Sequence, residues 1–225
     1  MRVKIYQINS ERDIHKVNFS ALEYLKQLQG SEKVDASICD EVFDGELDTA
    51  NPEMIFRKFN QEGHPLLRGH SLSVSDVLLV EGRVYFCQPV GFEQVEFDTS
   101  LTQKPDNLIK TVYVEPHKAP YIAEIENTLK GQQRAVKGLI DYIYNDDGTI
   151  IVINDESKIN GMEGNRRITG DVICGPFFIA GDTGEELTSL TEKECSFYLE
   201  KFAEPAEDIT PEEIAEHTGF TFYAW

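Results

Sequence analysis

Apolar and polar residues alternate at the start of the chain, which predicts an opening β-strand. Residues 3–8 read Val-Lys-Ile-Tyr-Gln-Ile, and a period of two places one side of such a segment in a core. Residues 19–28 then show apolar side chains at helical spacing, and Gly30 supplies a helix stop. A strand followed directly by a helix indicates a domain that combines a sheet with helical cover.

The segments that follow predict further strands separated by one short helix. Residues 51–60 predict this helix, with Pro52 in its first turn, and Glu81-Gly82 predicts a tight turn. Runs of aromatic and β-branched residues indicate strands over residues 37–43, 76–80, 82–88 and 92–97.

A second set of elements begins at residue 109. A strand is predicted over residues 109–114. Residues 120–129 predict a helix, because Ile122, Ile125 and Leu129 would share one face. These elements suggest that the second part of the chain also mixes strands and helices.

The hairpin pattern is clearest over residues 138–156. Two apolar runs flank residues 145–148, Asn-Asp-Asp-Gly, and Asp-Gly suits a tight turn. Residues 171–180 predict a strand that a Gly-Pro pair interrupts. A helix is then predicted to end at Phe202, and a further helix to begin after Thr210, which can cap it.

A polar, proline-containing stretch over residues 99–108 shows neither the apolar spacing of a helix nor the alternation of a strand. We therefore place a module boundary there. The fold class is therefore α+β, with one module over residues 1–98 and a second over residues 109–225. Each module is expected to be a small, mainly antiparallel or mixed sheet with helical cover. The second ends in an acidic helical segment and an aromatic tail at residues 220–225, expected to dock on the protein itself or on a partner.

The chain is strongly acidic, because 40 Asp and Glu residues against 21 Lys and Arg give a net charge of −19. Direct binding to nucleic acid is disfavoured, since it requires clustered cations, whereas a basic protein is favoured as a partner. The alternative is that the charge serves only solubility. The sequence shows no membrane-spanning run and no signal-peptide pattern, so we expect a cytoplasmic location.

The segment 185–216 concentrates the negative charge, with only Lys193 and Lys201 to balance it. Some of its carboxylates are expected to be structural, since Glu213 completes a capping box with Thr210. The others predict a face that binds a partner. The candidate partner-binding residues are Glu192, Glu194, Glu204, Glu207, Asp208, Glu212 and Glu213.

One local basic cluster lies within the glycine-rich residues 161–170. Asn165, Arg166 and Arg167 could bind a phosphate or carboxylate, because guanidinium groups bind such anions through two hydrogen bonds. The other interpretation is that Arg166 and Arg167 pair with the abundant acids of the same module.

No pattern of catalytic residues, metal ligands or cofactor binding is evident. His64 and His70 fit no metal signature, and the four cysteines contain no C-x-x-C pair. The hydroxyl groups of residues 71–75 lie near His70 and Asp76, but no nucleophile motif accompanies them, so capping roles are expected. We therefore expect no catalytic residue, no metal and no cofactor.

Two parts of the chain contain motifs that resemble those of known families. Residues 69–79, Gly-His-Ser-Leu-Ser-Val-Ser-Asp-Val-Leu-Leu, and the upstream residues 55–60 make residues 4–97 resemble the YodL-like domain family. Residues 110–203 are similar to domain of unknown function 3846 in residues 114–120, 127–130, 154–156, 161–162 and 165–167. This chain reads Asn154-Asp155-Glu156 where that family more usually reads Asn-Glu. The resemblance implies cargo of bacterial or phage mobile elements near anti-restriction genes, and it supplies no catalytic residues.

Three hypotheses for function follow. The first is a non-enzymatic inhibitor, of anti-defence type, whose acidic face mimics nucleic-acid charge and covers a basic surface of a bacterial protein. The second is a small-anion or nucleotide-binding module around Asn165, Arg166 and Arg167, with hydrolytic activity as an extension. The third is an assembly or regulatory protein whose charge confers only solubility.

Overall fold

A computed structural model of the chain describes residues 1–61, 63–168, 170–206 and 208–216. The chain divides into two compact units, Met1–Asp106 and Asn107–Trp225. Both units consist mainly of antiparallel strands with a few helices, so the α+β fold class predicted from the sequence is confirmed. No helix in the described ranges is long and apolar enough to cross a membrane.

The first unit is a five-stranded antiparallel sheet with strand order β2-β1-β3-β4-β5. Tyr6, Leu25 and Phe86 lie in the core on the α1 face, whereas Ile5, Ile55 and Phe59 are buried around α2. The elements are β1 (Arg2–Ile8), α1 (Leu22–Gln29), β2 (Cys39–Glu46), α2 (Pro52–Gln61), β3 (Val77–Val80), β4 (Arg83–Cys87) and β5 (Phe92–Gln94).

The first helix begins three positions later than its apolar spacing predicts, because Phe19 is not helical. Its φ angle is +64°, and the residue is 58% exposed. Its backbone N–H donates to Oγ of Ser75 at 2.9 Å, which holds this residue outside the helix. Gly30 ends the helix in a left-handed conformation at φ +66°, as the sequence predicts.

Part of the stretch in which we place the module boundary belongs to the first unit. Gln103 accepts a hydrogen bond from the Glu41 N–H at 2.8 Å and donates one to the Cys39 carbonyl at 3.1 Å. Gln103 therefore pairs alongside β2, and the first unit extends to Asp106. The polar composition of this stretch indicates that it is exposed. No local sequence pattern predicts its backbone hydrogen bonds to β2.

The second unit contains a larger antiparallel sheet with strand order β7-β6-β12-β9-β8, in which β13 also pairs with β12. A separate two-stranded ribbon is formed by β10 and β11. The elements are β6 (Leu108–Val114), β7 (Tyr121–Glu126), α3 (Leu129–Val136), β8 (Ile140–Tyr144), β9 (Thr149–Asn154), β10 (Gly164–Ile168), β11 (Asp171–Cys174), β12 (Phe177–Asp182), β13 (Leu187–Thr188), α4 (Glu192–Lys201) and α5 (Pro211–Glu216).

The helix predicted over residues 120–129 is wrong, because this segment forms β7 and α3 begins only at its end. Ala123 and Ile125 are buried, whereas Ile122 is 47% exposed and Leu129 is 60% exposed. Pairing with β6 along the whole of β7 supplies the backbone hydrogen bonds that a helix would have made internally. The apolar spacing alone did not distinguish the two structures.

The strand predicted over residues 171–180 is two strands in two different sheets. The Gly-Pro pair separates β11 from β12, and Gly175 has a φ angle of +70°. The hairpin predicted over residues 138–156 is confirmed as β8 and β9, with Gly148 at φ +77° in its turn.

Candidate functional site

Asn165 is the buried centre of the predicted anion-binding cluster. It is 1% exposed, and its Nδ2 donates to the carbonyl oxygens of Gly175 at 2.7 Å and Val114 at 3.1 Å. The side chain therefore joins β10 to the end of β6 and to the turn before β12.

Arg166 is also buried, with 4% of its surface exposed. Its Nη2 donates to the carbonyl oxygens of Lys118 and Phe202, both at 2.8 Å. Its Nε donates to the same Phe202 carbonyl at 3.2 Å, and its Nη1 donates to Oδ1 of Asn165 at 2.8 Å. Burial lowers the pKa of this guanidinium from its usual value. The geometry supports a clamp that holds three chain segments together.

Arg167 points to the acidic C-terminal segment. Its Nε and Nη2 donate to the two carboxylate oxygens of Glu213 at 2.6 and 2.7 Å, and its Nη1 donates to Asp208 at 2.8 Å. These ion pairs raise the pKa of Arg167 further above its usual range. The three predicted residues thus adjoin on β10, where Asn165 and Arg166 bond each other and backbone carbonyls and Arg167 pairs with carboxylates. Anion binding by them stays a prediction.

The seven carboxylates predicted to bind a partner occupy different environments. Glu192 forms an ion pair with Lys110, and Glu194 completes the N-terminal capping box of α4 with Thr191. Asp208 and Glu213 hold Arg167, as described above. Glu204 and Glu212 are exposed, and Glu207 lies outside the described residues, as do His217 and the aromatic tail.

A second group of carboxylates lies on two turns of the second unit that touch each other. The Asp182 N–H donates to the Gly148 carbonyl at 2.9 Å, which joins the β8–β9 turn to the β12–β13 turn. Tyr144, at the start of the first turn, is 71% exposed. No ion pair to Lys or Arg is found for these side chains within the described ranges. We call this group the acidic turns: Asp146, Asp147, Asp182, Glu185 and Glu186.

A buried polar cluster in the first unit is centred on Asp76, which is fully buried. Its Oδ2 accepts hydrogen bonds from Nε2 of Gln7 at 2.9 Å and from the Ser73 N–H at 2.8 Å. Nδ1 of His70 lies 3.9 Å from this oxygen, whereas Oδ1 has no hydrogen-bond donor in the part of the chain that the structure describes. Burial raises the pKa of Asp76 to about 7.

Gly69 allows this cluster to form. A Cβ atom at Gly69 would lie 1.9 Å from Oε1 of Gln7, which accepts the His70 N–H at 3.0 Å. Nε2 of Gln7 in turn donates to the His70 carbonyl at 2.9 Å. The predicted capping by a motif hydroxyl is met by Ser75, whose Oγ accepts the Phe19 N–H, whereas Ser73 takes part through its backbone N–H. The link of the motif to Gln7 in β1 was missed, since no local pattern marks that glutamine.

The comparisons with known proteins cover most of the chain. Residues 2–97 match the family described as YodL-like domain, and residues 109–203 match the family described as Domain of unknown function (DUF3846). The chain carries a YodL-like domain followed by a DUF3846 domain. No curated protein and no solved structure matched it significantly.

The motif residues of the YodL-like domain converge on the Asp76 cluster. Nδ2 of Asn60 in α2 donates to the Leu72 carbonyl at 2.9 Å, which fixes the motif loop to this helix. Phe59 packs edge-on to Phe43 of β2, with ring centroids 5.0 Å apart. The motif therefore joins α2, β1 and β3 through buried contacts.

The DUF3846 domain uses its motif asparagines in the same manner. Nδ2 of Asn154 donates to the Lys137 carbonyl at 3.1 Å, and Nδ2 of Asn127 donates to the Leu187 carbonyl at 2.9 Å. Together with Asn165, these side chains satisfy carbonyl groups that the sheet leaves unpaired. These three motif asparagines thus have a structural role in this domain.

The described residues of both domains offer few reactive side chains. The described residues contain no group of three or more His, Cys, Asp or Glu arranged to hold a metal ion. All four cysteines are buried free thiols, and burial raises the pKa of Cys39 and Cys87 to about 12. Such thiols are protonated at neutral pH and are poor nucleophiles.

Proposed function

We propose that this protein is a non-enzymatic inhibitor that acts in the bacterial cytoplasm and binds a basic, nucleic-acid-binding surface of a host protein. The partner class is a defence or replication protein whose cationic track normally binds phosphates. An acidic surface can occupy such a track by presenting negative charge at similar spacing. The net charge of −19 makes direct binding to nucleic acid unfavourable and attraction to a basic protein favourable.

The observation that carries this proposal is the arrangement of the acidic turns. Their carboxylates lie on two adjoining turns and have no cationic partner in the described residues. Exposed rings lie beside them, because Tyr144 precedes one turn and Phe197 adjoins Tyr198, whose hydroxyl donates to Asp147 at 2.9 Å. Arginine side chains of a partner can pair with the carboxylates and stack on the rings.

Neutralising the acidic turns is expected to weaken binding of the partner. The test variant combines Asp146→Asn, Glu185→Gln and Glu186→Gln, which keep side-chain size. The control combines Glu11→Gln, Glu23→Gln and Glu46→Gln, which remove the same charge from exposed positions in the YodL-like domain. Tagged chains are used to capture proteins from nuclease-treated bacterial lysate at about 50 and about 500 mM salt, since screening weakens charge pairing.

The expected result is a basic nucleic-acid-binding protein that is retained at low salt, lost at high salt and displaced by duplex DNA. Its affinity, measured with the purified partner, should fall about tenfold or more in the test variant and little in the control. Equal losses in both variants would show a dependence on net charge alone. Association that salt does not affect would favour the alternative in which the charge only confers solubility, and retention of no such protein would contradict the proposal.

A further inference from the structure

A preformed cavity of about 380 Å³ lies in the first unit between α2 and the β4–β5 connection. One side is the face of α2 that carries Glu53, Phe56, Arg57 and Asn60. The other side is residues 87–92, which end with Phe92. Cavities of this size hold a single small ligand.

One wall of this cavity, formed by residues 87–92, is fixed by hydrogen bonds of Gln88. Gln88 donates from Nε2 to Glu93 at 2.8 Å and accepts the Leu22 N–H of α1 on Oε1 at 3.3 Å. The Gln88 N–H also donates to the Gly91 carbonyl at 3.0 Å, which closes the turn. A wall held in this way does not have to be ordered by the ligand, which lowers the cost of binding.

The lining of the cavity has three chemical parts. The rings of Phe56 and Phe92 lie edge to face with centroids 6.3 Å apart, and they provide an aromatic surface. Arg57 is exposed and has no ion-pair partner among the residues that the structure describes. Asn60 also lines the cavity; its Nδ2 donates to the Leu72 carbonyl, and its amide oxygen is an acceptor.

We propose that this cavity binds a small planar aromatic carboxylate. The ring of the ligand packs against Phe56 and Phe92, and its carboxylate pairs with the guanidinium of Arg57, whose fork matches two carboxylate oxygens. Glu53 also lines the cavity, and its negative charge disfavours ligands of higher charge such as nucleotides. This site belongs to the first unit, and it does not rest on the function proposed above.

The test is an NMR titration of the 15N-labelled full chain with nicotinate, an aromatic carboxylate, and with nicotinamide, its neutral counterpart. Nicotinate is expected to shift amide signals in residues 53–61 and 87–92, and nicotinamide is expected to bind about tenfold or more weakly. Arg57→Gln should weaken nicotinate binding by about tenfold or more, because it removes a charge-assisted pair. Glu53→Gln should strengthen it about two- to fivefold by removing a repulsive charge.

The matched control is Arg83→Gln, which removes an exposed arginine from β4 of the same unit and should leave the affinity unchanged. Each variant is first compared with the native chain in its amide spectrum, so that loss of folding is separated from loss of binding. The proposal is overturned if nicotinate shifts none of these amides, or if Arg57→Gln and Arg83→Gln weaken binding equally. Tighter binding of adenosine monophosphate than of nicotinate would overturn the assignment of a carboxylate ligand.

Discussion

Replacing Arg166 with methionine is expected to lower the free energy of unfolding of the DUF3846 domain by about 3–5 kcal/mol. The methionine fills a similar volume but donates no hydrogen bond. The carbonyl oxygens of Lys118 and Phe202 and Oδ1 of Asn165 would each lose a donor inside the protein. Each buried polar atom left without a partner costs about 1–3 kcal/mol, so the losses accumulate.

Amide hydrogen exchange measured by NMR checks this prediction. It reports the stability of each unit separately, whereas a single unfolding transition is not expected from two units that unfold separately. Protection of the amides in β6 and β12 should fall in Arg166→Met and, to a lesser degree, in Arg166→Lys, since an ammonium cannot reproduce the planar fork. The control is Lys130→Met, which removes an exposed cation from α3 of the same domain. Equal exchange in Arg166→Met and Lys130→Met would contradict the clamp role.

Replacing Asp76 with asparagine is expected to stabilise the YodL-like domain by about 2–4 kcal/mol at pH 8 and to remove most of its pH dependence between pH 4 and 7. Burial raises the pKa of Asp76 to about 7, from 3.8 for an exposed carboxyl. The folded domain therefore holds a proton that the unfolded chain releases at lower pH. The stability contributed by this proton is greatest below pH 4, decreases as pH rises towards 7, and is absent above it.

The test compares the native chain with Asp76→Asn by urea unfolding between pH 4 and 8. Stability is followed through amide hydrogen exchange in β1 and β3, and the measurement shows whether it falls or rises with pH. Nδ1 of His70 lies 3.9 Å from the same carboxyl, so His70→Gln is measured in parallel to isolate the contribution of Asp76. The nearby thiols of Cys39 and Cys87 ionise at too high a pH to contribute. Glu46→Gln, at an exposed position in β2, is the control. If the free energy of unfolding depends on pH in the same way in the native chain and in Asp76→Asn, the buried carboxyl does not hold the proposed proton.

Most elements of the fold could be predicted from local pattern. Alternation in residues 3–8, the stop at Gly30 and the Asp-Gly turn before β9 each act through neighbouring residues, and each was confirmed. The segment 120–129 could not be assigned in this way. Its apolar residues fit a helix face, but the hydrogen bonds that decide its structure come from β6, which precedes it in the chain.

The candidate sites were harder to predict for the same reason. A pair of adjacent arginines in a glycine-rich segment is equally typical of an anion site and of a structural clamp. The partners that distinguish these roles are the carbonyls of Lys118 and Phe202, which are distant in sequence from Arg166. The cavity beside Arg57 likewise depends on the contact of α2 with residues 87–92, which no motif marks.

The position of β12 in the second sheet has a consequence for folding during synthesis. This strand pairs with both β6 and β9, yet it follows them in the chain. Until Phe177–Asp182 leaves the ribosome, β6–β7 and β8–β9 are two separate hairpins with open edges, and isolated hairpins are marginally stable. The first sheet, in contrast, is complete by Gln94. We therefore expect the YodL-like domain to fold on the nascent chain while the DUF3846 domain still depends on late long-range pairing.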